Sequence, residues 1–178
     1  DGTLCLSDKA DLFVKEDWGD GRINLRCERT GKYVTTISKG RRKSEEEDGA
    51  LVAVKDAVFD WFVTAIFHII PAENGAVRLT NRFDQPIQIS KDKKLYSALT
   101  GEGSSFLMET VVDGFEEVQR LMQCAKTVIL ALGCHPMVNA KEEIDRTTLA
   151  LPPHQEKLAK MICKIKDRKS TRLNSSHD

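Results

Sequence analysis

Two stretches of this chain are copies of one another. FVKEDWGDGRINLRCERTGKYVTT begins at Phe13, FHIIPAENGAVRLTNRFDQPIQIS begins at Phe67, and the two align without a gap. Phe13 falls on Phe67, Gly21 on Gly75, Ile23 on Val77, Leu25 on Leu79 and Tyr33 on Ile87. A third echo starts at Phe106 and reaches Gly114 over the same Phe-to-Gly interval. Each unit closes on a short apolar run, at 2–6, 49–54 and 94–96. A unit of roughly 40 residues cannot bury its own apolar face, so the copies have to close around one another.

Alternation and turn signals predict strands at 12–15, 22–26, 33–36, 51–54, 61–67, 77–80, 87–89 and 106–110. Thr30-Gly31, Asp48-Gly49 and Asn74-Gly75 punctuate them. A short β-repeat present about three times is most simply a β-trefoil. Gly31-Lys32-Tyr33-Val34-Thr35 also resembles the repeat of fascin-like and actin-crosslinking-like trefoils. The run from Lys39 to Asp48 is basic and then acidic, which reads as a solvated loop because the opposite charges cancel locally. Trp18 and Trp61 read as core or seam residues rather than sugar platforms, and His68 as a strand surface residue.

From Asp113 the period changes. Phe115, Val118, Leu121 and Met122 recur at helical spacing, with Asp113 as N-cap and Glu116 three residues later. The run Thr127-Val128-Ile129-Leu130-Ala131-Leu132 then predicts a buried strand ending at Gly133. A long polar loop follows, and a last helix places Leu158, Met161, Ile162 and Ile165 on one face. Helix, strand, loop and helix form part of a βαβ arrangement, in which ligands bind beyond the carboxyl ends of strands. The predicted fold is therefore mixed β and α/β. A β-trefoil-like module over 1–112, N-terminally truncated, leads into a partial α/β sandwich over 113–166, and 167–178 forms a disordered tail.

The loop carries a resemblance. KTVILALGCHPMVNAKEEIDRTTLALPPHQEKLAKMI, starting at Lys126, resembles the α/β-sandwich domain of family 3 glycoside hydrolases, the β-glucosidase group. The shared pattern is a buried strand, Gly133, an acidic residue three before Asp145-Arg146, then Leu151-Pro152 and Gln155-Glu156. Cys134 departs from it, where Asn is expected before His-Pro. Some members carry β modules inserted in the sandwich domain, so the resemblance and the repeat support each other.

Cleavage with retention needs two carboxyl groups about 5–5.5 Å apart, one a nucleophile and one an acid/base. The resemblance implies that the nucleophile is an Asp on a preceding barrel domain, a partner outside this chain. It assigns the acid/base to Glu142, with Glu143 one residue away as the competing candidate. Such a carboxyl works with a raised pKa, from desolvation or from a neighbouring carboxylate. On the substrate side stand His135, Glu143, Asp145 and Arg146. His135 either lines the sugar pocket or caps the strand end; Asp145 and Arg146 either brace the loop or reach the sugar. His154 reads as a solvated helix residue. The implied activity is exo-hydrolysis of terminal β-linked sugars from an oligosaccharide or glycoside. The alternative is a non-catalytic β-module that binds carbohydrate or protein.

Composition trims the other classes. Lys+Arg equals Asp+Glu at 27 each, so no global field favours nucleic acid or anionic lipid. Apolar content of 40% with 30% charged residues fits a globular chain, and no apolar run is long enough to span a bilayer. The five cysteines have no zinc-ligand spacing and read as free thiols of a reducing, cytoplasmic setting, Cys124 and Cys163 being small buried residues. No metal or cofactor motif occurs, so none is expected. The start at Asp1 and an ending that resembles a translated sequencing adapter both mark a fragment of a longer protein.

Overall fold

The computed structural model describes residues 2–37, 49–58, 63–134 and 147–165. The described residues are β-rich with two helices, and the chain divides into two compact units. The nine strands among the described residues all lie in the first unit, and their registers repeat as the sequence does. β1 (Phe13–Gly19) and β2 (Arg22–Cys27) pair with Phe13 opposite Cys27 and Asp17 opposite Ile23. β5 (Phe67–Pro71) and β6 (Val77–Asn81) pair in the same register, Phe67 opposite Asn81 and Pro71 opposite Val77. Both hairpins turn on two residues with positive φ: Asp20 (53°) and Gly21 (74°), then Asn74 (56°) and Gly75 (75°). A tight two-residue hairpin needs left-handed backbone at both positions, which is why Asp-Gly and Asn-Gly stand there.

The units join by a second recurring pairing. The first strand of a unit crosses to the second strand of the unit before it: Phe67 stands opposite Ile23, and Phe106 of β9 (Ser105–Phe106) opposite Val77. After the second strand the copies fall out of step. Tyr33, the first residue of β3 (Tyr33–Thr36), stands opposite Arg26, whereas Thr80 bridges Pro86 rather than Ile87 of β7 (Ile87–Ile89). The gap-free alignment is therefore corrected by one residue: Val34, not Tyr33, corresponds to Ile87, and both are fully buried. The cause is a shorter turn. Cys27 N–H donates to Lys32 O, but Asn81 N–H donates to Gln85 O, and the Asn81 side chain accepts from the N–H groups of Phe83 and Gln85.

The three apolar closing runs meet. Thr3 bridges Val52 of β4 (Leu51–Lys55), Cys5 bridges Lys94 beside β8 (Leu95–Ser97), and Ala50 bridges Tyr96. Leu4 N–H donates to Leu51 O at 2.9 Å, and Leu95 N–H to Leu4 O at 3.0 Å. The core assembles beneath: Ile23, Val34, Leu51, Phe67, Leu79 and Ile87 are buried together, with Leu4, Leu95 and Phe106 packed against them. Each buried aliphatic or aromatic side chain removed from water contributes about 1.5–3 kcal/mol, so this shared core holds the unit together.

Strand limits differ from expectation in three places. The strand expected at 12–15 is β1, which runs on to Gly19. The strand expected at 61–67 is instead Phe67–Pro71, because 63–66 turns, with Ile66 N–H donating to Val63 O at 3.3 Å; 61 and 62 lie outside the described residues. The strand expected at 106–110 is only Ser105–Phe106.

The second unit holds α1 (Gly114–Cys124) and α2 (Pro153–Ile165). Asp113 caps α1, its carboxylate accepting from Phe115 N–H at 2.7 Å and Glu116 N–H at 3.2 Å. The strand expected at 127–132 is absent: the segment makes no ladder, and Ile129 is 92% exposed. A strand of a parallel sheet is hydrogen-bonded and buried only by its neighbours, and among the described residues none stands beside this one. Cys124 and Cys163 are exposed rather than buried, and Cys27 is the buried thiol. Each lies two positions past a methionine that α1 or α2 turns inward (Met122, Met161), about 200° around the helix. All five cysteines are free thiols. No helix among the described residues is long and apolar enough to cross a membrane.

Candidate functional site

The sequence places the chemistry on the loop between Gly133 and Leu149. Glu142, His135, Glu143, Asp145 and Arg146 all lie outside the described residues. The flanks of the loop are described. Pro152 precedes α2 and Pro153 starts it, where a proline costs nothing because the first helical N–H groups have no intrahelical acceptor. The first turn is closed by Gln155 N–H and Glu156 N–H, both donating to Pro152 O.

Gln155 then reaches back across the loop. Its amide Nε2 donates to Gly133 O at 2.8 Å, and its Oε1 accepts from Gly133 N–H at 2.9 Å. A side-chain amide that meets both polar groups of one residue fixes position and orientation together. Gly133 and Gln155 both belong to the pattern that carried the resemblance; their pairing was not foreseen, since nothing in the spacing says which Gln faces which Gly.

Three lysines stand along α2, at 157, 160 and 164. Lys157 lies over the Phe115 ring, 4.2 Å from its centroid, and Lys160 is ion-paired with Glu156. A groove of about 470 Å³ is lined by Gln119 and by Glu156, Lys157, Lys160, Met161 and Lys164. Its single carboxylate is committed to a lysine, so the groove lacks the pair that glycoside cleavage with retention requires. His154, near the start of α2, is half-buried rather than solvated.

In the first unit several polar side chains tie neighbouring segments together. The Trp18 indole N–H donates to Asn24 Oδ1, and Asn24 Nδ2 donates to Ala65 O at 2.6 Å. Trp18 and Tyr33 pack on a small cluster of Val58, Val63 and Ile66, so Trp18 serves as a seam. Trp61 lies outside the described residues. Tyr33 donates its hydroxyl to Glu16 at 2.8 Å, and burial, then this hydrogen bond, pushes its pKa up. His68 is half-buried on β5, with Nδ1 3.4 Å from Asp84. Guanidinium hydrogen bonds hold two exposed carboxyls below the usual range, Asp11 by Arg29 and Glu117 by Arg120. Both shifts run opposite to what a general acid needs. Among the described residues no group of three or more His, Cys, Asp or Glu side chains could hold a metal.

No family model matches the chain, and no curated protein matches it. Among solved structures it is similar to a designed 3-fold symmetric protein, ThreeFoil, at 18% identity, with a TM-score of 0.38 over 53% of this chain and 69% of that one.

Proposed function

We propose that this chain is part of a retaining, exo-acting β-glycosidase of the family 3 type, and that the loop beginning at Gly133 supplies its acid/base. The observation that carries the reading is the grip of Gln155 on the Gly133 backbone. It joins two residues that the resemblance named together, from opposite sides of the loop that bears Glu142. A loop that must present a proton donor to within a fraction of an ångström needs fixed ends. In this reading Glu142 protonates the departing glycosidic oxygen and later takes a proton from water. Glu143 raises its pKa by like-charge repulsion, and His135, Asp145 and Arg146 border the sugar. The nucleophilic carboxylate comes from a barrel domain of the same protein.

The first unit is, in the same reading, a β-trefoil inserted in the sandwich domain. What supports it is the repeated register of the hairpins and the meeting of the three closing runs at Leu4, Leu51 and Leu95.

The test is Glu142→Ala in the protein that includes the barrel. Turnover of glycosides with poor leaving groups should fall by about 10²–10⁴-fold. Activated aryl glycosides should be spared in the first step, and added azide should restore turnover and release a β-glycosyl azide. Unchanged rates on both substrate types remove Glu142 from the mechanism. Glycan binding by the first unit, combined with those unchanged rates, turns the reading to a carbohydrate-binding module.

A further inference from the structure

Two enclosed polar atoms of the first unit fall on one strand and one face. Among the described residues of this unit, Thr80 Oγ1 and Arg78 Nε are the side-chain atoms shut off from solvent without a hydrogen-bond partner. Such an atom forfeits its hydration, and native structures rarely tolerate that unless a ligand, a water or strain accounts for it. Both residues belong to β6, two positions apart. Phe67, Leu79 and Ile23 turn into the core, so alternation puts His68, Ile70, Arg78, Thr80 and Arg22 on the opposite face of the sheet. Thr80 is nevertheless only 8% exposed.

The register gathers this face into two rows. Arg22 stands opposite His68 and His68 opposite Thr80, while Ile70 stands opposite Arg78. Opposed side chains sit about 5 Å apart, so the first row runs for about 10 Å. Three exposed carboxylates rim the rows: Asp20 pairs with Arg22 at 2.9 Å, Glu102 with Arg78 at 3.1 Å, and Asp84 lies 3.4 Å from His68 Nδ1. Ile70 and Phe83, the residue before Asp84, are exposed large apolar side chains.

We infer that this face of β2, β5 and β6 binds a neutral saccharide, with sugar hydroxyls on Thr80, Arg78 and Asp84 and the C–H face of the ring on Ile70. Charge selects the class. Each basic side chain here already has a carboxylate beside it, so a phosphate or another anion would have to displace an acid group to reach a cation. A metal ion fits no better, since no group of three or more His, Cys, Asp or Glu side chains among the described residues could hold one. A sugar hydroxyl both donates and accepts, which suits a surface where guanidinium N–H groups and carboxylate oxygens stand side by side. The exposed carboxylates of Asp84 and Glu102 are drawn aside by the incoming ring, and this opens the two enclosed atoms to it. The site requires no residue of the loop that bears Glu142, so it goes beyond the acid/base assignment and stands or falls without it.

The test is an amide chemical-shift titration of the full chain with cellobiose, lactose and xylobiose in turn, and with sodium phosphate as the anionic arm. At least one disaccharide should shift the amides of His68, Ile70, Arg78 and Thr80, with a dissociation constant of about 1 mM. Thr80→Val should weaken that binding about fivefold or more, and Arg78→Met about tenfold or more. Without sugar, Thr80→Val should melt no lower than the parent chain, because it removes an enclosed atom that has no partner. Glu142→Ala should leave the shifts in place. If no disaccharide moves these amides at its solubility limit, the two atoms serve water or strain and the inference is overturned. Shifts with phosphate alone overturn it by marking an anion site, and so do shifts that persist undiminished in both variants. Shifts that vanish with Glu142→Ala also overturn it, because they place the sugar at the loop and speak for the acid/base instead.

Discussion

Phe67 and Ile129 are both large apolar residues within apolar runs, yet one is 0% exposed and the other 92%. The run around Phe67 lies in a repeat: its own unit supplies β6 on one side, and the copy before it supplies β2 on the other. The run at 127–132 has no such copy, and no strand among the described residues pairs with it. An apolar pattern states what a segment requires; only a hydrogen-bonding neighbour meets the requirement, because an extended backbone cannot satisfy its own N–H and C=O groups. The repeat unit carries its neighbours within its sequence, and the helical unit does not.

Substitutions can break or sharpen this contrast. The largest effect belongs to Phe67→Ala, which should destabilise the first unit by about 3–5 kcal/mol in denaturant unfolding. Its copy Phe13 is 39% exposed, and Phe13→Ala should cost less than about 1 kcal/mol. Equal losses would show that the two strands are equally held and would close the gap drawn between them. In the second unit Asp113→Ala removes the carboxylate that serves two N–H groups of α1. A loss of about 1 kcal/mol, with a drop in far-ultraviolet helicity and no change in the unfolding of the β unit, is the expected result.

The smallest effect is confined to alkaline pH. Tyr33 keeps its proton more tightly in the folded chain than unfolded, chiefly because it is buried and then because it donates to Glu16. The folded state therefore binds more protons than the unfolded state once pH passes the ordinary tyrosine value of about 10. Its contribution is whole below that point and is lost as pH climbs toward the raised folded-state value. Tyr33→Phe should flatten this part of the stability profile, and an unaltered alkaline slope would mean that other groups carry it.

The parts legible from sequence were those governed by local rules. Asn74-Gly75 announced its turn because few residues tolerate positive φ twice in succession, and Gly21 was legible only as the aligned copy of Gly75. The Asp113 cap was legible because a carboxylate before an amphipathic run has one obvious use. The parts that went astray depend on distant partners. Thr127 to Leu132 has strand composition, but composition does not say whether a neighbouring strand is present. Cys124 and Cys163 looked buried by residue type, while helix phase turned them outward. The slip between Tyr33 and Ile87 was hidden because the two turns differ by one residue while the flanking apolar alternation survives. Of the site, Gly133 and Gln155 were legible as members of a pattern, but their mutual grip required coordinates.

The meeting of Leu4, Leu51 and Leu95 has a kinetic consequence. The hairpins of each unit form from residues close in sequence and can appear within microseconds. The three leucines come from far-separated stretches, and bringing them together costs loop-closure entropy before any burial rewards it. Hairpin formation therefore cannot set the speed at which this unit matures. The slow step is the final convergence at the leucines, and the nascent chain stays open to misassociation until it is complete.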